Sequence, residues 1–181
     1  MISENDGKFL LKLARDCVEK FAKEEPVQRP ENYPEALNEN MGLFCTINKK
    51  DSNNVYQLRG CIGIPYPTMP LIDAVISAAQ STCEDPRFDK LCEDELPDIK
   101  IEVSVLTEPK SISIEGIEPG KHGLILQYGP YSGLFLPQVW KQLPEKEQFL
   151  DNLCLKAGLT PGMWKENGVK LYSFEAQVFE E

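Results

Sequence analysis

Gly42-Leu43-Phe44-Cys45-Thr46-Ile47-Asn48, a polar turn over residues 49–54, and Val55-Tyr56-Gln57-Leu58-Arg59-Gly60-Cys61-Ile62 decide the class of fold. Both runs are short and rich in β-branched and aromatic residues, which pack well on a pleated surface. The turn between them is too short for the crossover that parallel neighbours need, so the pair reads as an antiparallel hairpin. Gly63 and Pro65-Tyr66-Pro67 end the second strand.

Working outward, Ile99 to Thr107 is the clearest further strand, with Ile101, Val103 and Val105 alternating against Glu102 and Ser104. His122 to Tyr128 and Gly133 to Leu136 read as a second hairpin joined by Gly129-Pro130-Tyr131-Ser132, and Val169 to Glu180 as a closing strand with Tyr172, Phe174, Ala176 and Val178 on one face. Three stretches carry helical periodicity. Phe9, Leu10, Leu13, Ala14, Cys17, Val18 and Phe21 recur at helical spacing, with Asp6 the expected N-cap and Pro26 past the end. Pro70 to Gln80 shows a small-residue face suited to packing on a sheet. Pro144 to Ala157 is followed by Gly158 at the position of a C-terminal cap glycine. About six strands in adjacent hairpins with three longer helices give an α+β class, mainly antiparallel. Residues 24–40 form a proline-constrained connection.

The chain has 181 residues, 41% of them hydrophobic, enough for one sizeable core. Its net charge of −10 opposes phosphate backbones and anionic lipid, so neither nucleic acid nor membrane is an expected partner. The acidic start Met1-Ile2-Ser3-Glu4 does not read as a secretion signal, which leads to an expected cytoplasmic location. In that compartment the six scattered cysteines are free thiols. One histidine and no Cys-x-x-Cys pair predict no metal site, and no phosphate or dinucleotide loop is present, so no cofactor is expected.

Chemistry concentrates at Leu58-Arg59-Gly60-Cys61-Ile62-Gly63. Two glycines in a strand mark a bulge or a close backbone approach. In an extended strand Arg59 and Cys61 share a face, where the guanidinium favours a thiolate and the amides beside Gly60 and Gly63 offer an anion cradle. The alternative is a small core cysteine with glycines that serve packing. His122, next to Gly123, is the one imidazole that can act as base toward Cys61, or it is a structural hydrogen-bonder. Glu102 points into a cleft or into water. Asp85 and Arg87, on the stiff turn Asp85-Pro86-Arg87-Phe88, bind a ligand or tie the loop down.

This hexapeptide resembles the signature of the AMMECR family. Further stretches agree in order: Gly42 to Ile47, Asp85 to Phe88, Glu95-Leu96-Pro97, Ile101 to Thr107, Gly120 to Ile125, Gly133 to Val139 and Lys156-Ala157-Gly158-Leu159. Cys45 departs from the valine expected there. The resemblance covers nearly the whole chain and implies a single domain over residues 1–181, in two lobes with both termini in the larger one and a cleft between them. It also implies that Arg59, Cys61, Asp85, Arg87, Glu102 and His122 neighbour one site. Relatives encoded beside Memo-like and radical-SAM proteins make those the implied partners.

Two functions stand against each other. In one, a cysteine-dependent enzyme or enzyme-complex component acts on a small ligand in a cleft around Cys61, with Cys61, His122 and Glu102 catalytic and Arg59, Gly60, Gly63, Asp85, Arg87 and Gly123 holding the ligand. In the other, a binding or delivery module holds a small anionic ligand and breaks no bond.

Overall fold

The hairpin expected at residues 42–62 is present in the computed structural model, which describes all 181 residues. In chain order the elements are α1 (Glu4–Ala22), β1 (Gly42–Lys50), β2 (Tyr56–Ile64), α2 (Leu71–Thr82), β3 (Ile99–Leu106), β4 (Lys110–Ser111), β5 (Gly123–Tyr128), β6 (Tyr131–Phe135), α3 (Lys146–Lys156), β7 (Lys170–Phe174) and β8 (Ala176–Glu180). The chain divides into two units, residues 1–106 with 177–181, and residues 107–176. The class is α+β with antiparallel pairing, as the strand pattern requires.

In the first unit the sheet runs β2-β1-β3-β8. Leu43, Cys45 and Ile47 of β1 are buried and alternate with Phe44, Thr46 and Asn48 on the opposite face. Helix α2 packs on β1 and β2, and α1 packs on α2. Leu71, Ile72, Ala74, Val75, Ala78 and Ala79 of α2 are all buried, because the helix lies between the sheet and α1. Each large side chain sealed this way contributes about 1.5–3 kcal/mol. Leu10, Leu13, Ala14, Cys17 and Val18 form the buried stripe of α1 at the spacing read from the sequence.

In the second unit the sheet runs β4-β7-β5-β6, with α3 on β6. The core is aromatic: Trp140 stacks on Phe149 with centroids 3.7 Å apart, and Phe135 meets Phe149 edge-on at 5.2 Å. Trp164 donates its indole N–H to Asp151 at 2.7 Å, so the ring is buried without an unpaired donor. Gly158, at φ +79°, follows the last residues of α3 as expected.

Three local expectations are corrected. The N-cap of α1 is Ser3. Its hydroxyl accepts the Asp6 amide at 3.2 Å while Asp6 accepts the Ser3 amide at 3.3 Å, a reciprocal box that starts the helix earlier. The loop of the second hairpin is only Gly129 and Pro130, since Tyr128 pairs with Tyr131 and Gly129 takes φ +56°. The closing strand is two strands, β7 and β8, in different sheets. They part at Glu175, whose carbonyl and amide are bound by Thr107 at 3.0 and 2.9 Å. The alternation is broken there, so Leu171, Phe174 and Phe179 are buried while Val178 is exposed.

Candidate functional site

The local geometry of β2 begins with a bulge. Ile47 pairs with Gly60 and Asn48 with Leu58, so Arg59 is the extra residue. Leu58 and Gly60 therefore lie against opposite faces of β1. The Arg59 side chain leaves on the helix side, where its Nε and Nη2 donate to Glu95 at 2.8 and 2.9 Å and Nη2 also donates to the Asp89 carbonyl at 2.8 Å. Lys49 joins the same carboxylate at 2.9 Å. The shared-face expectation for Arg59 and Cys61 fails because the bulge shifts the alternation by one residue.

Glu95 is the centre of that cluster. Its side chain is 11% exposed and Arg59's is 12% exposed, so the pair is well shielded. Hydrogen bonds from Arg59 first, then from Lys49 and the Cys92 amide, hold its acidity at about 2, below the ordinary 4.5 and against the opposing cost of burial. No sequence signal singled Glu95 out, beyond its place in Glu95-Leu96-Pro97. The acidic run around it reads as a solvated turn.

Cys61 sits on the other face. It pairs with Thr46, and Thr46 pairs in turn with Glu102 of β3. Cys61, Thr46 and Glu102 thus form one row across three strands, with Cys61 and Glu102 about 10 Å apart at their backbones. The Thr46 hydroxyl donates to the Cys61 sulfur at 3.3 Å, and Ser104 donates to Glu102 at 3.3 Å. Thr46 carries no sequence signal of its own, and strand register is what places it beside Cys61.

The turn at Asp85 is tied to Cys61 directly. The Asp85 side chain is fully buried and accepts the Cys61 amide at 2.9 Å. Arg87 donates Nε to Asp85 Oδ1 at 2.9 Å and Nη2 to Oδ2 at 2.6 Å, and reaches the Cys61 carbonyl at 3.4 Å. The Arg87 bonds, the Cys61 amide and the Arg87 amide together hold the Asp85 carboxyl far below the usual carboxylate range. Both backbone groups of Cys61 are held by one acid–guanidinium pair. Because β2 is a sheet edge, the same contacts cover groups that edge strands otherwise leave open.

The glycines are steric requirements. A Cβ on Gly60 would stand 2.6 Å from the Thr82 carbonyl oxygen, and one on Gly63 would stand 2.3 Å from the Leu43 carbonyl. These backbones approach too closely for any side chain. Thr82 uses the approach: its hydroxyl accepts the Ile62 amide at 3.2 Å and donates to the Ala78 carbonyl at 2.7 Å.

His122 and Gly123 belong to the second unit. His122 Nδ1 accepts the Glu118 amide at 3.1 Å, and its carbonyl accepts the Trp140 indole N–H at 2.7 Å. Gly123 leaves room for the Phe174 ring, 2.4 Å from where a Cβ would be. The structure therefore brings Cys61, Asp85 and Arg87 into contact, adds Glu102 through Thr46, turns Arg59 to the opposite face, and gives His122 and Gly123 local packing partners.

The other thiols differ from Cys61 in setting. Burial pushes Cys17 up to about 11 and Cys83 up to about 12, and raises Cys45 and Cys154 also. Cys92 is exposed and Cys61 is half-buried.

The model of the AMMECR1 family matches residues 11–179, so the chain belongs to the AMMECR1 family. Protein MJ0810 of Methanocaldococcus jannaschii is 44% identical over 190 residues, covering 100% of this chain and 92% of its own length. Protein NEQ441 of Nanoarchaeum equitans is 42% identical, covering 95% of this chain and 98% of its own length. The crystal structure of the uncharacterized protein PH0010 from Pyrococcus horikoshii superposes with a TM-score of 0.93 at 40% identity, covering 99% of this chain and 93% of that one.

Proposed function

We propose that the protein acts on a small ligand at the face of the first sheet opposite α2, with the Cys61 sulfur as nucleophile, its proton released to solvent, and Glu102 as the carboxylate further along the same row that meets the ligand. The observation that carries this reading is the row Cys61–Thr46–Glu102, in which a hydroxyl is aimed at a half-buried sulfur. A donated O–H and a nearby guanidinium both favour the thiolate over the thiol. The guanidinium here is Arg87, whose charge interacts with Cys61. The Asp85 clasp fixes the backbone that carries the sulfur, which is what a positioned nucleophile requires.

The test is competitive alkylation of the native protein with limiting iodoacetamide near neutral pH, followed by peptide mapping. Cys61 is expected to label ahead of Cys92, although Cys92 is more exposed. Glu102→Gln, which removes a negative charge from the row, is expected to leave Cys61 labelling at least as fast and not to move its pH profile upward. Labelling of Cys92 first, or at an equal rate, refutes the nucleophile reading. Should Cys61→Ser turn over, as fast as the wild type, a ligand that the wild type converts at this face, the sulfur is not the nucleophile.

A further inference from the structure

The same bulge that turns Arg59 away from Cys61 builds an open depression of about 810 Å³ in the first unit, and Cys61, Thr46 and Glu102 take no part in its lining. Lys49, Arg59, Arg87 and Phe88 line it, with Asp89 and Asp94. The charges are layered by depth. The carboxylates of Asp85 and Glu95 are 0% and 11% exposed, whereas Arg87 and Lys49, which pair with them, are 53% and 39% exposed. In a chain of net charge −10, this depression sets Arg87 and Lys49 outward over the buried Asp85 and Glu95, with Asp89 and Asp94 exposed beside them.

Those cations are held in place before any ligand arrives. Arg59 uses Nε and Nη2 on Glu95 and the Asp89 carbonyl, and Arg87 uses the same two nitrogens on Asp85 and the Cys61 carbonyl. Each guanidinium keeps Nη1 for another acceptor. Lys49 spends one of its three protons on Glu95. Ordering these long side chains is a cost already met by their internal partners, so a ligand gains their contacts at little further loss of freedom. The Arg59 and Arg87 guanidinium carbons lie over the Phe88 ring, 5.7 and 5.6 Å from its centre, so ring and guanidiniums together make a planar surface.

We propose that this depression is a second ligand site, separate from Cys61, and that it takes a nucleoside monophosphate. Lys49 and Arg87 meet the phosphate, the planar base lies against the surface that Phe88 and the Arg59 guanidinium over it form, and Asp89 and Asp94 accept from the sugar hydroxyls. The two aspartates decide between ligand classes. A bare dianion gains nothing from them and is repelled, while a hydroxyl-bearing phosphate uses both kinds of charge. A single phosphate also fits better than a triphosphate, whose added charges face carboxylates as well as cations.

Isothermal titration of the whole chain with AMP, adenosine and inorganic phosphate tests the assignment. AMP is expected to bind one to one, at least tenfold more tightly than either fragment. Lys49→Gln, which leaves the Arg59–Glu95 pair in place, is expected to weaken AMP roughly tenfold, about the worth of one charge-assisted bond. Phe88→Leu is expected to weaken AMP and leave inorganic phosphate unchanged. Cys61→Ser is expected to change nothing, which separates this site from the thiol reading. Melting midpoints near wild type for each variant show that the fold is kept. Equal affinity for AMP and phosphate, no AMP binding at millimolar concentration, or loss of binding in Cys61→Ser each overturns the proposal.

Discussion

Replacing Glu95 by Gln keeps the size of the side chain and removes the charge that Arg59 and Lys49 share. The folded acidity of Glu95 is about 2 against an ordinary 4.5. At about 1.36 kcal/mol per tenfold, that interval is worth about 3 kcal/mol as an upper bound. Lys49 is 39% exposed, so part of the attraction is screened, and about 1–2 kcal/mol is the expected loss in Glu95→Gln at pH 7. The pH dependence distinguishes this cause from lost packing. A carboxylate held at lowered acidity stabilises the fold fully above its unfolded value of 4.5, and the contribution fades as pH falls toward 2. The gap between wild type and variant should therefore be open at pH 7 and at pH 5, narrow at pH 3, and close near pH 2. Both tryptophans, Trp140 and Trp164, lie in the second unit, so urea unfolding followed by far-UV circular dichroism is the suitable assay. An equal gap at pH 7 and pH 2, or one below about 0.5 kcal/mol at pH 7, refutes the assignment of Glu95 as the anchor of this cluster.

Gly60→Ala places a methyl 2.6 Å from the Thr82 carbonyl, a backbone atom that cannot swing aside, so thermal melting is expected to show a loss of about 2–3 kcal/mol. Asp85→Asn turns a buried acceptor of the Cys61 amide and the Arg87 guanidinium into a group with fewer lone pairs and an unwanted donor. It is expected to cost about 2–4 kcal/mol. Amide hydrogen exchange should lose protection at Cys61 first, and unchanged protection there counts against the clasp.

The architecture was legible where burial repeats with a simple period. Leu43, Cys45 and Ile47 alternate against Phe44 and Thr46, and α1 shows its stripe from Leu10 to Val18, so the sheet and helices are legible in the sequence. The break between β7 and β8 was not, because Tyr172 to Val178 keeps an apparent two-residue rhythm across Glu175, where the chain changes sheets. At the site, Cys61, Asp85 and Arg87 were marked by residue type and are in contact, yet the contact itself spans 24 positions in sequence and follows no period. The face of Arg59 was misread for a definite reason: the glycine signalled a bulge, but alternation was still counted through it. Thr46 and Glu95 were missed because a threonine in a strand and a glutamate in an acidic turn each look ordinary until the register places them beside Cys61 and Arg59.

The stretch from Leu58 to Gly63 looks like one site in sequence and is physically two. Its glycines exist because backbone passes within contact distance, Gly60 under Thr82 and Gly63 against Leu43. That close approach forms the bulge's setting and sends Arg59 to Glu95, while Cys61 remains beside Thr46. The two faces are joined through the Asp85–Arg87 pair, whose guanidinium lines the depression and whose carboxylate holds the Cys61 amide. A ligand that tightened on Arg87 would therefore draw on the hydrogen bonds that hold the Cys61 backbone, and a displacement of that backbone would be felt at Arg87 by the same bonds, whereas Cys61→Ser leaves the backbone groups in place. Coupling of this kind is reciprocal. Arg59 makes no such hydrogen bond to Cys61, since it donates to Glu95 and to the Asp89 carbonyl on its own side. Arg87, and not Arg59, is the arginine that ties thiol to depression.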